Sequence, residues 1–144
     1  MNEIVYCFNS DGGGYNNTSL ATIIGLHRTT AEDLLVKAIE AYGLKAGDDE
    51  NYKDQGLFDR SDNVSFAKKG IPAPTFTPGM DAFDASIFKY YHQPSDEFES
   101  LDMDYMYTFY KAYVLSARFI GNMKETPFWK EGDKYYDVGT ELYK

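Results

Sequence analysis

Residues 3–11, EIVYCFNSD, decide how the fold is read. The run from Ile4 to Phe8 is apolar, aromatic or β-branched throughout and is closed by polar residues, which is the pattern of a strand buried in an α/β sheet. Such a strand carries Asn9 and Asp11 to its end. DGGGYNNT follows, where three glycines and two asparagines mark a turn that needs unusual backbone angles or close approach. The same loop lacks a P-loop lysine and dinucleotide spacing, so it reads as a plain turn. A second strand is expected over Ala21–Leu26. A third is expected over Ile71–Thr77, where the prolines of IPAPTFTPG confine ladder bonding to one end.

Between these strands the period changes. TTAEDLLVKAIEAYG places Leu34, Leu35, Ala38, Ile39 and Tyr42 on one stripe, with a capping box from Thr29 to Glu32 and a stop at Gly43, so a helix is expected near 30–42. SDNVSFAKKG reads as a short helix capped near Ser61 or Asp62 and ended by Gly70. The stretch after Ser100 holds the longest helical pattern, near 101–121, with Leu101, Tyr105, Phe109, Ala112 and Phe119 on a broad apolar surface. Residues 44–60 read as an irregular polar connection, and the tail after Asn122 as an extended segment anchored by Phe128 and Trp129.

Composition narrows the function. A chain of 144 residues, 43% hydrophobic and 17% aromatic, can build one packed core. Its formal charge of -9 argues against nucleic acid or an anionic membrane as the main partner. No apolar run approaches the ~20 residues of a membrane span, and MNEIVYCFNS lacks the basic and apolar regions of a signal peptide. The single Cys7 excludes an internal disulfide and reads as a small buried apolar side chain.

Two histidines remain. His92, in YYHQPSDE, sits between tyrosines and acids and reads equally as a metal ligand, a general base or a surface residue. His27, in GLHRTT, has no acidic neighbour in sequence and reads as a surface or capping residue. The acidic run Asp48, Asp49 and Glu50 lacks the alternating spacing of a calcium loop and reads as a solvated face.

FDRSDNVSFAKKGIPAPTF (58–76), YYHQPSDEFESLD (90–102) and the PFWKEGD tail together resemble the carboxy-terminal half of the catalytic domain of zinc aminopeptidases in metallopeptidase family twenty-eight, relatives of leucyl aminopeptidases, glutamate carboxypeptidase and glutaminyl cyclase. The resemblance implies a three-layer α/β/α zinc-exopeptidase-like fold, present over 1–144 as a single partial domain. It implies that His92 and Asp11 are zinc ligands and that Tyr91 stands in the substrate site, where it helps hold a developing oxyanion. The family's His-x-Asp pair and adjacent glutamates have no counterpart here, and Asn63 stands where relatives carry the histidine of Ser-Asp-His.

Two functions follow. The first is a zinc-dependent exopeptidase acting on the amino termini of peptides in a longer form, secreted or periplasmic as the resemblance implies, with this chain alone inactive. The second is a non-catalytic homologue that serves as a binding or assembly module. With few strands and an uncovered edge, the chain is also expected to self-associate.

Overall fold

Leu20–Ile24 is the strand around which the other elements are placed. In a computed structural model, which describes residues 3–12 and 14–143, this strand (β2) stands third in a four-stranded sheet of order β1-β4-β2-β3. The others are β1 (Asn9–Ser10), β3 (Lys45–Gly47) and β4 (Thr75–Pro78). β1 runs parallel to β4, β3 runs parallel to β2, and β2 and β4 are antiparallel, with Ile23 opposite Phe76 and Ile24 opposite Thr75. The sheet is therefore mixed, and the fold is α/β.

Alternation along β2 sends adjacent isoleucines to separate cores. Ile23 joins Leu35, Ile39, Phe76, Tyr105 and Phe109 beneath α1 (Glu32–Glu40) and α4 (Met103–Gly121). Ile24 joins Phe58, Ala73, Met80, Ile87, Trp129 and Tyr135. Short elements supply that second core: α2 (Asn63–Ala67), α3 (Ala85–Phe88), α5 (Tyr136–Leu142) and the 3-10 turns at Glu50–Gln55 and Leu57–Arg60.

α4 is fixed at its start by Asp102, whose side chain accepts from the backbone N–H of Tyr105. The Tyr105 hydroxyl then contacts both the Gly79 N–H and the Leu20 carbonyl, tying the helix to two strands. Burial pushes this phenol up to about 12.

The structure departs from the sequence expectations at several points. Ile4–Phe8 is not a strand: Cys7 donates to the Pro72 carbonyl, yet the paired residues are only Asn9 and Ser10. Residues 44–60 contain β3, which was masked by Lys45 and by small residues that lack strand propensity. The tail is not simply extended, because α5 forms at Tyr136–Leu142. Thr29 caps nothing. Ala31 precedes α1 with no side-chain cap, and the Thr29 hydroxyl is buried without a partner among the described residues. Cys7 is half-buried rather than enclosed, and burial raises its thiol above the ordinary value.

The tail is anchored where the sequence placed its anchors. Trp129 is buried and donates from its indole to the Gly70 carbonyl at 2.8 Å. A bidentate pair from Arg28 to Asp133, at 2.6 and 3.0 Å, adds a second attachment, and the same guanidinium lies 3.9 Å over the Phe58 ring.

Candidate functional site

β1 ends by presenting Asp11. Its N–H donates to the Phe76 carbonyl at 2.9 Å, extending the parallel ladder by one step before the chain turns away. A side-chain relay then orients the carboxylate. Asn9 Nδ2 donates to Thr75 Oγ1 and to Ser61 Oγ, each at 3.0 Å, and Ser61 Oγ donates to Asp11 Oδ2 at 2.6 Å. Asp11 is itself exposed. The residue after it must be small, since a Cβ on Gly12 would lie 2.5 Å from Thr77 Oγ1. Gly13 lies outside the described residues, so the reading of the DGGG loop as a plain turn is only partly covered by them.

Beside Asp11 is a pocket on the face of the sheet that bears Ile24, Thr75 and Thr77. Its apolar walls come from Leu57, Met80, Phe83 and Ile87, with Tyr91 and Arg60 also lining it. Asp11 and Tyr91, distant in sequence, thus share one cavity. Tyr91 is held by α3, its N–H donating to the Ile87 carbonyl at 2.9 Å, and its ring meets Phe83 edge-on at 5.4 Å.

His92 does not line that pocket, but its ring packs edge-on against Tyr91, with centroids 4.2 Å apart. The residue is exposed and is the one non-glycine position with positive φ, at 57°, among the described residues. Positive φ is uncommon for a residue with a side chain, although histidine adopts it more readily than most. Such strain is found where surrounding structure over-determines a position, and it clusters at ligand sites.

The donor set falls short of a catalytic zinc site. Such a site takes about three protein ligands and an open position. Among the described residues no group of three or more His, Cys, Asp or Glu side chains stands together to hold a metal ion. One carboxylate and one imidazole have the right chemistry for two ligands and do not make a centre.

Four further positions have roles that only the fold reveals. Asn63 is fully buried, donating to the Ala73 carbonyl at 3.0 Å while its Oδ1 has no partner among the described residues. It joins α2 to the segment entering β4 and is therefore a packing residue. His27 is exposed as expected, yet folding brings Glu32 to 2.8 Å from Nδ1 and Asp48 to 3.2 Å from Nε2. Asn9 and Ser61, which orient Asp11, carried only the weak signal of standing in FNSD and in the serine-aspartate turn.

A largely apolar pocket on the face of the sheet, with an oriented carboxylate just past the end of β1 and a tyrosine in its wall, has the lining of a ligand site. The model for Peptidase family M28 matches residues 1–115, and the chain belongs to that family, whose members are metallopeptidases and generally zinc-dependent. No curated protein and no solved structure matches the chain significantly.

Proposed function

We propose that this chain is part of a zinc-dependent exopeptidase of the three-layer α/β/α type that removes amino-terminal residues from peptides, with Asp11 and His92 as two of its zinc ligands and Tyr91 in its substrate site. The observation that carries this reading is the shared cavity: Asp11 and Tyr91 line one pocket, and the strained His92 packs on Tyr91. Zinc, when bound in such enzymes, activates water and polarises a carbonyl. The chain's own groups have separable tasks. Ser61 and Asn9 hold Asp11 in one orientation, the Ile87 carbonyl fixes the Tyr91 backbone, Phe83 packs on its ring, and the Tyr91 hydroxyl is the donor proposed for the oxygen that gains charge during acyl transfer. The apolar walls would take an uncharged side chain.

On this reading the remaining metal ligands and the general base lie on a further segment, and the chain by itself is inactive. Metal content after dialysis, together with release of a chromogenic aminoacyl anilide, tests both parts. The chain alone should retain little zinc and hydrolyse at background. A longer form that adds the missing donors should turn over with zinc and lose that activity on His92→Ala. Tightly held stoichiometric zinc with His92-dependent turnover in the chain alone would overturn the incomplete-site reading. A longer form carrying every donor and still inert would overturn the peptidase reading. The absence of a three-donor group among the described residues favours, as second reading, a non-catalytic binding module of the same family.

A further inference from the structure

The outer face of α4 is the wrong polarity for a helix that faces only water. Its inner face, with Tyr105, Phe109, Ala112 and Ser116, is buried. An amphipathic surface helix should be polar on the opposite side. There instead stand Met103, Tyr107, Tyr110 and Val114, which are 50%, 65%, 49% and 58% exposed. Their successive spacings of four, three and four residues form the seam of a coiled coil over two heptads.

The seam also has walls. Tyr42, just beyond α1, is 40% exposed and closes one side of a hollow with Tyr107, Tyr110 and Val114. This hollow and the next one along share Leu115 and Arg118, so the groove continues between α1 and α4.

Charge indicates what would fill it. The protein carries -9, yet Lys111 and Arg118 flank the seam, and Lys37 and Lys124 outnumber Glu125 along its continuation. None of the four forms an ion pair among the described residues, whose pairs lie at His27, Arg28, Lys53, Lys130 and Lys134. Lys111 lies 4.0 Å from the Tyr107 ring centroid and Lys37 lies 5.7 Å from that of Phe119, so these cations rest on aromatic rings in place of carboxylates.

We propose that the α4 face is a docking groove for an acidic amphipathic helix of a partner protein, which lays apolar side chains along Met103, Tyr107, Tyr110 and Val114 and sets Glu or Asp against Lys111 and Arg118. Apolar anchors provide the affinity, and the flanking charges choose the partner and its register. The site is separate from the pocket at Asp11 and stands whether or not the peptidase reading holds.

A labelled helical peptide of about 18 residues, roughly five turns, with Leu at seam positions and Glu beside them, is the probe. Its twin carries Lys in place of Glu. Fluorescence anisotropy with the full chain should show saturable binding of the acidic peptide, about tenfold weaker binding of the twin, and weakening with added salt. Lys111→Glu with Arg118→Glu should invert the preference, an outcome that a misfolded variant cannot produce. Tyr110→Ser with Val114→Ser should abolish both.

No saturable binding, equal affinity for the twins, or a preference indifferent to the charge-swapped variant overturns the proposal. Phosphatidylserine vesicles captured through the same residues would make the groove a lipid site, and a dimer dissolved by Tyr110→Ser would make it a self-contact. Either result also overturns it.

Discussion

At the scale of single residues, the clearest lesson comes from His27. The sequence offers it no acid, yet folding supplies two from separate elements, and neither could be seen from its neighbours. The Glu32 hydrogen bond raises the imidazole above its ordinary value, partial burial opposes this, and Asp48 adds to the rise. For Glu32, burial acts upward and is outweighed by Lys130 and His27, which hold it low. A histidine whose folded value is raised stabilises the fold fully below its unfolded value of about 6.5, and that contribution fades as pH rises through the folded value. His27→Ala should therefore destabilise by about 0.2–1 kcal/mol near pH 5.5, the range of half-solvated pairs, and by less near pH 8.5. Urea titrations at the two pH values decide it, and an equal or larger loss at the higher pH refutes the assignment. Gly12 has the opposite character, since its role is one of space. Gly12→Ala would drive a methyl into Thr77 Oγ1 and Pro78 and should cost about 1–3 kcal/mol in thermal or chemical unfolding. The candidate site was uneven in the same way: Asp11, Tyr91 and His92 were singled out through the family resemblance, whereas Asn9 and Ser61 acquire their role only when β1, β4 and the turn at Leu57–Arg60 meet.

At the scale of elements, long-range attachments matter more than local propensity. Tyr105 joins α4 to the ends of β2 and β4 through one hydroxyl, so Tyr105→Phe leaves the Gly79 N–H and the Leu20 carbonyl without that partner. The expected loss is about 1–3 kcal/mol by denaturant unfolding, and no loss would show that water replaces the phenol. Trp129 plays a similar part for the tail. Gly70, with φ at 87°, packs so closely on Gly139 that an added Cβ would sit 2.6 Å from its Cα. Gly70→Ala should separate α5 from the second core and lower the unfolding midpoint, and Trp129→Ala should cost about 3–5 kcal/mol. These contacts explain what the sequence did and did not reveal. α1 and α4 were readable because each carries its own apolar period, and α1 also its stop at Gly43. β3 and α5 were not, because LysAlaGly and TyrAspValGlyThrGluLeu have weak intrinsic preference and take their shape from pairing with β2 and from packing on Gly70. β1 was overextended for a related reason. Apolar character fixed where Ile4–Phe8 would run, while pairing, which depends on β4, begins only at Asn9.

At the scale of the whole molecule, the sheet order β1-β4-β2-β3 leaves β1 and β3 at its edges. The β1 edge is the more vulnerable, because Ile4 and Val5, in the extended segment that leads into it, are 40% and 41% exposed and carry no charge. Natural edges are protected by charge, proline, bulges or a covering element, and an unprotected apolar edge recruits another strand. Among the described residues a covering contact comes from the far end of the chain, where the Tyr143 hydroxyl donates to the Ile4 carbonyl at 2.7 Å. A single hydrogen bond from a half-buried tyrosine is worth about 1 kcal/mol, which is little against a ladder of several bonds and two buried side chains. The chain is therefore expected to self-associate through this edge, despite the repulsion between molecules of charge -9, and to do so more strongly as salt screens that repulsion. Light scattering coupled to size exclusion should show a mass that rises with concentration, and Val5→Lys should return it to that of one chain. Tyr110→Ser with Val114→Ser should leave the association unchanged, since the α4 groove lies elsewhere. A single-chain mass at every concentration and salt level would mean that the Tyr143 contact is cover enough, and an association abolished at α4 but not at Val5 would move the contact to the other side of the protein.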